Sequence, residues 1–299
     1  MATATALATS ILLYGRTNAG KTAQIGRLAE YEYQLHKKKT RLYVADKGGV
    51  DPIQPYVDLG IIEVEPILNT SPWIFLNKAA RGFVRDGAGK WVLDPKRNDA
   101  IGCYAFESLR GFAEVLMLDM ATKAAQGVNI GGGSNIAFQV SGDNENLKVS
   151  GSNMAHYGVA QAKMTEEVWA SQQLPADFII WTSSVSKDDD TTAGGKVLGP
   201  DVIGKALTAE VPRWFNYTFR IDVLPAAAGK AERHILYLGN HVDVGAGNAA
   251  GLGNIRRPLD APPLASLTIE PADIGKALTM LQTDARTAAK AAIQKRLGL

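Results

Sequence analysis

The sequence has few cysteines and histidines, the residues that form disulfides and structural zinc sites. It contains one cysteine in 299 residues, so no intrachain disulfide can form. Cys103 lies within an apolar run, which predicts a buried, reduced thiol. The four histidines lack the spacing of a zinc site. We therefore expect a reduced protein without a structural metal.

The sequence also lacks a large net charge and long apolar runs. Lys and Arg number 32 against 30 Asp and Glu, so no global positive field recruits nucleic acid or a membrane surface, and a duplex-coating protein is not expected. Apolar runs such as 178–181 fall far short of the about 20 residues that a membrane span needs. The first ten residues, MATATALATS, lack a basic start and a long apolar stretch. We expect a cytoplasmic protein without membrane insertion.

What the sequence does contain is short β-like runs alternating with helix-like periodicity. This alternation predicts an α/β fold with a mainly parallel central sheet flanked by helices. An antiparallel pair joined by a short connection is expected to extend that sheet. The predicted parallel strands are 10–14, 40–45, 61–67, 101–106 and 177–181, and the antiparallel pair is 215–223 with 234–238.

The remaining segments predict the domain organisation. Residues 1–258 are expected to form the core, with a Gly/Ser/Asn-rich mobile insertion at 127–152 that contains one hairpin, 136–140 with 147–149. Residues 182–196 are expected to form a polar loop. Residues 259–299 are expected to form a linker and a C-terminal helix that docks either on its own core or on a neighbouring copy. A further helix is predicted from Ser71 and Pro72 to Phe83.

One motif predicts chemistry directly. Residues 15–22, GRTNAGKT, match the phosphate-binding P-loop pattern G-x-x-x-x-G-K-[ST] between a predicted strand and a predicted helix. The backbone of Gly15, Asn18, Ala19 and Gly20 is expected to curl round a polyphosphate. Lys21 is expected to contact the β and γ phosphates, and Thr22 to ligate Mg²⁺. The predicted cofactors are ATP and Mg²⁺.

Hydrolysis requires further polar groups near the γ phosphate. Glu107, at the end of a buried strand, is the candidate carboxylate for Mg²⁺, although a Glu at a helix N-terminus fits too. Asp46 is the candidate for orienting the attacking water, and it is equally compatible with a turn. Thr182 or Ser183 is placed to hydrogen-bond the γ phosphate. Charge neutralisation from a neighbouring subunit needs Arg or Lys, and the candidates are Lys196, Lys205, Arg256 and Arg257, although an ordinary surface charge is the favoured interpretation of each.

Three segments besides the P-loop carry a resemblance to a known family. They are YVADKGGVDP at 43–52, FESL at 106–109 and TTAGGK at 191–196. With the P-loop, they resemble the RecA-like ATPases, and most closely the phage-type group associated with single-strand annealing and recombination. The family places a catalytic Glu where this sequence has Asp46 or Lys47, and an Asp where it has Glu107. These departures imply hydrolysis that is slow or dependent on assembly.

The resemblance implies a RecA-like P-loop NTPase fold, a homo-oligomer, and action on single-stranded DNA in recombination, annealing or replication. A single-strand DNA-binding or replication protein is an implied partner, and the implied DNA-facing loops are 127–152 and 183–196. Other functions remain compatible with the residues: a packaging or remodelling motor, or a nucleotide-gated scaffold with little hydrolysis.

Overall fold

The fold is an α/β arrangement built on a nine-stranded sheet. The computed structural model describes residues 8–45, 50–67, 81–125, 137–140, 147–150, 154–189, 196–226, 232–243, 249–261, 263–264 and 266–298. The strands are β1 Thr9–Gly15, β2 Lys39–Val44, β3 Ile62–Pro66, β4 Phe83–Arg85, β5 Trp91–Leu93, β6 Ile101–Glu107, β7 Ala137–Val140, β8 Leu147–Ser150, β9 Phe178–Ser183, β10 Val185–Asp189, β11 Lys196–Pro200, β12 Tyr217–Leu224, β13 Arg233–Leu238, β14 His241–Asp243, β15 Ala249–Gly251, β16 Asn254–Ile255 and β17 Thr268–Ile269.

The helices vary widely in length. They are α1 Lys21–His36, α2 Gln54–Asp58, α3 Leu109–Ala125, α4 Met154–Ser171, α5 Lys205–Glu210, α6 Ile274–Leu278 and α7 Ala285–Leu297, with a π-helical segment, Thr279–Asp284, joining α6 to α7. Short 3₁₀ turns lie at Asp51–Ile53 and Val211–Trp214. Among the described residues, no helix is both long and apolar enough to cross a membrane.

The main sheet has the order β17-β13-β12-β1-β9-β6-β2-β3, with β16 paired to β12. The neighbours from β12 to β3 are all parallel, whereas β13, β16 and β17 pair antiparallel at one side. The predicted α/β class, with a mainly parallel sheet and an antiparallel extension, is confirmed.

Both faces of the sheet are buried, which explains why its strands read as continuous apolar runs. In β1, Leu12 packs into one core cluster, whereas Ile11 and Leu13 pack into the other. Helices α3 and α4 supply Phe112 and Met164 to the first cluster. Cys103 is fully buried, and burial raises its pKa far above the usual range, as expected for an unreactive core thiol.

A second, four-stranded sheet has the order β10-β11-β15-β14 and contradicts one prediction. The polar loop expected at 182–196 is wrong in three places. Residues 182 and 183 belong to β9, Val185–Asp189 form β10, and Lys196 begins β11, which pairs antiparallel with β10. The polar sequence of β10 hid the strand, since backbone pairing does not need alternating apolar residues. The hydroxyl of Tyr14 in β1 lies 3.2 Å from the carbonyl oxygen of Leu198 and 2.5 Å from that of Leu252.

The C-terminal segment packs on the core of its own chain. Strand β17 pairs with β13, and Ile274, Leu278 and Leu281 are fully buried in the second core cluster. Gln24 in α1 anchors the start of this segment: its Nε2 donates to the Ala272 carbonyl at 2.9 Å and its Oε1 accepts the Ile274 N–H at 2.9 Å. Of the two predicted docking modes, the structure has the docking on its own core.

Two other sequence predictions meet the structure only in part. The hairpin within 127–152 is present as β7 paired antiparallel with β8. The helix predicted from Ser71 lies outside the described residues over 71–80, and Phe83 belongs to β4, which pairs with β5.

Candidate nucleotide-binding site

The P-loop takes the path that its glycines allow. Strand β1 ends at Gly15, where a Cβ atom would collide with the Ile221 carbonyl of the neighbouring strand β12. Asn18 and Gly20 have φ angles of 64° and 92°, in the left-handed region that asparagine and glycine tolerate best. Helix α1 begins at Lys21 directly after Gly20, so its N-terminal N–H groups and positive dipole end adjoin the loop.

The side chains of the motif converge as the sequence predicts. The Lys21 ammonium donates to the carbonyl oxygens of Gly15 at 3.0 Å and Arg16 at 2.9 Å, which holds its charge over the loop. The Thr22 hydroxyl donates to Glu107 Oε1. Thr22 and Glu107 are far apart in the chain, and the sheet brings the Glu107 carboxylate to the first turn of α1.

The strand order explains how Glu107 and Thr182 reach the P-loop. Strand β9 lies between β1 and β6, so Thr182 near the end of β9 lies between the P-loop and Glu107. The Ser108 N–H donates to Thr182 Oγ1 at 3.0 Å, and the Gly111 N–H donates to Ser108 Oγ at 3.0 Å, which caps α3. Ser108 has a φ of 74°, a costly angle for a non-glycine residue that these two hydrogen bonds maintain.

These groups surround a cavity of about 400 Å³. Its lining is rich in hydroxyls and backbone from the P-loop and from the ends of β6 and β9, and among the described residues it includes one lysine and one carboxylate. The Thr22 hydroxyl and the Glu107 carboxylate are the oxygen ligands that suit Mg²⁺, and Lys21 with the helix N-terminus suits a polyphosphate. The residues present therefore fit ATP with Mg²⁺.

Most of the predicted site residues meet at this cavity. Its lining includes Asn18, Gly20, Lys21, Thr22, Glu107 and Thr182. Gly15 contributes a carbonyl that holds Lys21, and Ala19 is buried behind the loop. Asp46 lies outside the described residues, and its role stays a prediction. The preceding strand, β2, ends at Val44, which pairs with Glu107.

Sequence reasoning missed several supporting contacts. The ring Nδ1 of His234 lies 3.0 Å from the Ala19 carbonyl oxygen, so β13 supports the P-loop from the antiparallel side. Arg16 Nε lies 3.9 Å from Oδ1 of Asp222, which also pairs with the buried Arg220. No local pattern marks these residues, because they reach the loop only through the pairing of β1 with β12 and of β12 with β13. Ser108 had a signal, since it follows the predicted Glu107.

Of the four cations suggested for action in a neighbouring subunit, the structure describes the side chains of Arg256 and Arg257, and neither lines the cavity. The Arg256 backbone N–H donates to the Asn216 carbonyl at 3.2 Å, beside the start of β12. The start of β12 lies next to the start of β1, whereas the P-loop follows the end of β1, so Arg256 is at the opposite end of these parallel strands. Arg257 follows it in the chain, and the side chains of Lys196 and Lys205 lie outside the described part.

Comparisons with known proteins find similarity in structure but not in sequence. No model of a known protein family matches the chain, and no curated protein matches it in sequence. Among solved structures, the chain is similar to a KaiC-like protein from the hyperthermophilic archaeon Pyrococcus horikoshii, with 9% sequence identity and a TM-score of 0.41. The match covers 82% of this chain and 89% of the archaeal one.

Proposed function

We propose that this protein is a Mg²⁺-dependent ATPase of the RecA-like class that assembles with copies of itself and acts on single-stranded DNA in phage-type recombination, annealing or replication. The observation that carries the ATPase assignment is the contact between Thr22 and Glu107 beside the P-loop. It joins a hydroxyl and a carboxylate at the place where a P-loop enzyme needs its Mg²⁺ ligands.

Different residues of the site have different roles in the transfer of the γ phosphate to water. Lys21 and the N–H groups at the start of α1 bind the phosphates and offset negative charge as it develops. Thr22 and Glu107 would hold Mg²⁺, which would neutralise negative charge on the phosphates. Thr182 holds the backbone beside Glu107, and Asp46 is proposed to orient the attacking water.

The DNA partner and the assembly have a different kind of support. They rest on the resemblance carried by segments 43–52, 106–109 and 191–196. The nearly neutral net charge of +2 is compatible with binding through a local patch.

ATP binding and hydrolysis with Mg²⁺, measured with and without single-stranded DNA, test the proposal. Lys21→Ala removes the ammonium from the phosphates, so we expect ATP binding weaker by about 10- to 100-fold and turnover at background. Lys90→Ala is the matched control, because Lys90 is exposed in the turn between β4 and β5. Light scattering in the same solutions reports whether the chain assembles.

The outcomes separate the alternatives. Stimulation by single-stranded DNA together with a larger assembly supports the full proposal. Stimulation only by duplex DNA or by a protein favours a packaging or remodelling motor. Tight ATP binding by the wild type with phosphate release at background, as in Lys21→Ala, favours a nucleotide-gated scaffold. Hydrolysis that Lys21→Ala leaves unchanged overturns the site assignment.

A further inference from the structure

A second cavity, of about 410 Å³, lies where the parallel strands β1 and β12 begin, at the end of the sheet away from the P-loop. Ser10 near the start of β1 and Asn216 just before β12 both line it. Because a strand rises about 3.3 Å per residue, Ser10 lies about 16 Å from Gly15 along β1. This cavity, which we call the tryptophan pocket, is therefore separate from the nucleotide site.

Two indole rings form the apolar part of the tryptophan pocket. Trp169 in α4 and Trp214 in the 3₁₀ turn have ring centroids 6.4 Å apart and planes at 80°, an edge-to-face pair. Trp169 is 55% exposed. A large part of its ring surface is thus available to a ligand, while the second ring holds its orientation.

Hydrogen bonds fix the polar part of the pocket. Gln172 Nε2 donates to the Trp214 carbonyl at 2.9 Å, which ties the end of α4 to the 3₁₀ turn. The Asn216 side-chain oxygen accepts the Ser10 N–H at 2.8 Å. The pocket is consequently formed before any ligand arrives, which lowers the entropic cost of binding.

The charge of the pocket favours an anion. Arg256 lines it, and among the lining residues in the described part of the chain none is acidic. Arg256 is exposed, and its Nη2 donates to the Arg213 carbonyl at 3.1 Å. A guanidinium has five N–H donors, so this single bond leaves donors for a phosphate.

We propose that the tryptophan pocket binds single-stranded nucleic acid, with one base stacked on Trp169 and the adjacent phosphate held by Arg256. Stacking on an aromatic ring together with a cation is how proteins bind single strands without reading sequence. The exposed amide of Gln173 is available to hydrogen-bond the base edge. This inference rests on the proposed function, because it gives a location for its DNA partner.

The loops implied by the resemblance are poorer candidates for the same task. Segment 127–152 has Phe138 and one lysine, Lys148, and segment 183–196 has three consecutive aspartates. Aspartates repel phosphates, whereas the tryptophan pocket combines ring surface with positive charge.

Fluorescence anisotropy of labelled dT and rU oligomers, with a labelled duplex for comparison, tests the proposal on the full chain. Trp169→Ala removes the stacking surface, so we expect the dissociation constant for the single strand to rise about 5- to 100-fold. Trp169→Phe keeps a ring and should retain most of the affinity. Arg256→Ala should weaken binding and reduce its dependence on salt.

Matched controls come from exposed residues outside the pocket. Tyr157→Ala removes an exposed aromatic ring from the same helix, and Arg296→Ala removes an exposed arginine from α7. Both should bind as the wild type does. ATP binding and thermal unfolding of every variant show that the fold and the nucleotide site are intact.

Each outcome supports or overturns the inference. Loss of affinity in Trp169→Ala and Arg256→Ala alone supports it, and a preference for dT or rU assigns the strand as DNA or RNA. If the wild type hydrolyses ATP but binds neither oligomer, the inference and the DNA partner of the proposed function both fail. If both variants bind as the wild type does, the inference alone is overturned. A change of molar mass without a change of affinity makes the pocket a contact between copies, which also overturns it.

Discussion

Thr182 supports the site through one hydrogen bond. Its Oγ1 accepts the N–H of Ser108, the residue that follows Glu107. Thr182→Val keeps the shape of the side chain but leaves that N–H without its acceptor. We expect a loss of about 1–3 kcal/mol in the free energy of unfolding and a turnover about 10-fold lower, because the backbone beside Glu107 is released.

Urea unfolding and steady-state ATP hydrolysis measure these two effects. Thr182→Ser retains the oxygen and serves as the control, with stability and turnover near those of the wild type. Wild-type turnover in Thr182→Val would show that the hydroxyl does not position Glu107.

Glu167 in α4 gives the protein a pH dependence. Burial raises the pKa of its carboxyl to about 7, Glu166 adds to the rise, and Arg81 and Lys163 oppose it. The folded state therefore holds a proton that the unfolded state releases near pH 4.5. Between these values the free energy of unfolding falls as pH rises, since the folded state binds more protons.

Glu167→Gln removes this dependence because the amide stays neutral. We expect the variant to exceed the wild type by about 2 kcal/mol in free energy of unfolding at about pH 8, and to match it at about pH 4.5. Urea unfolding of the two proteins across this pH range measures the difference. A difference that does not grow with pH would contradict the prediction.

The C-terminal segment depends on a contact from the helix that follows the P-loop. Gln24 is buried and bonds the backbone on both sides of Asp273, the N-cap of α6. Gln24→Ala breaks both hydrogen bonds, so we expect a loss of about 2 kcal/mol in the free energy of unfolding and faster proteolysis before α6.

Limited proteolysis and urea unfolding measure the effect of Gln24→Ala. Gln34→Ala is the matched control, because Gln34 lies exposed on the same helix and its side chain donates to Glu30 near the surface. Equal cleavage rates in the two variants would show that Gln24 does not hold the segment.

Across the whole molecule, the sequence predicts what depends on buried apolar runs and on short-range motifs. Strands β1, β6 and β9 are apolar because both faces of the sheet are covered, and the P-loop is local in sequence. The four-stranded sheet was not predicted, because β10 is polar and pairs with β11 through its backbone. The contact of His234 with Ala19 was not predicted either, because the two residues are 215 positions apart in the chain.

Tyr14 limits how this protein can change shape. Burial raises the pKa of its hydroxyl above the usual range, so the group remains a donor between the carbonyls of Leu198 and Leu252. Leu198 belongs to β11 of the four-stranded sheet, and Leu252 directly follows β15 of the same sheet. Tyr14 immediately precedes Gly15, the first glycine of the P-loop. The Tyr14 hydroxyl thereby ties the four-stranded sheet to the strand that leads into the P-loop, so we expect a displacement of one to be passed to the other.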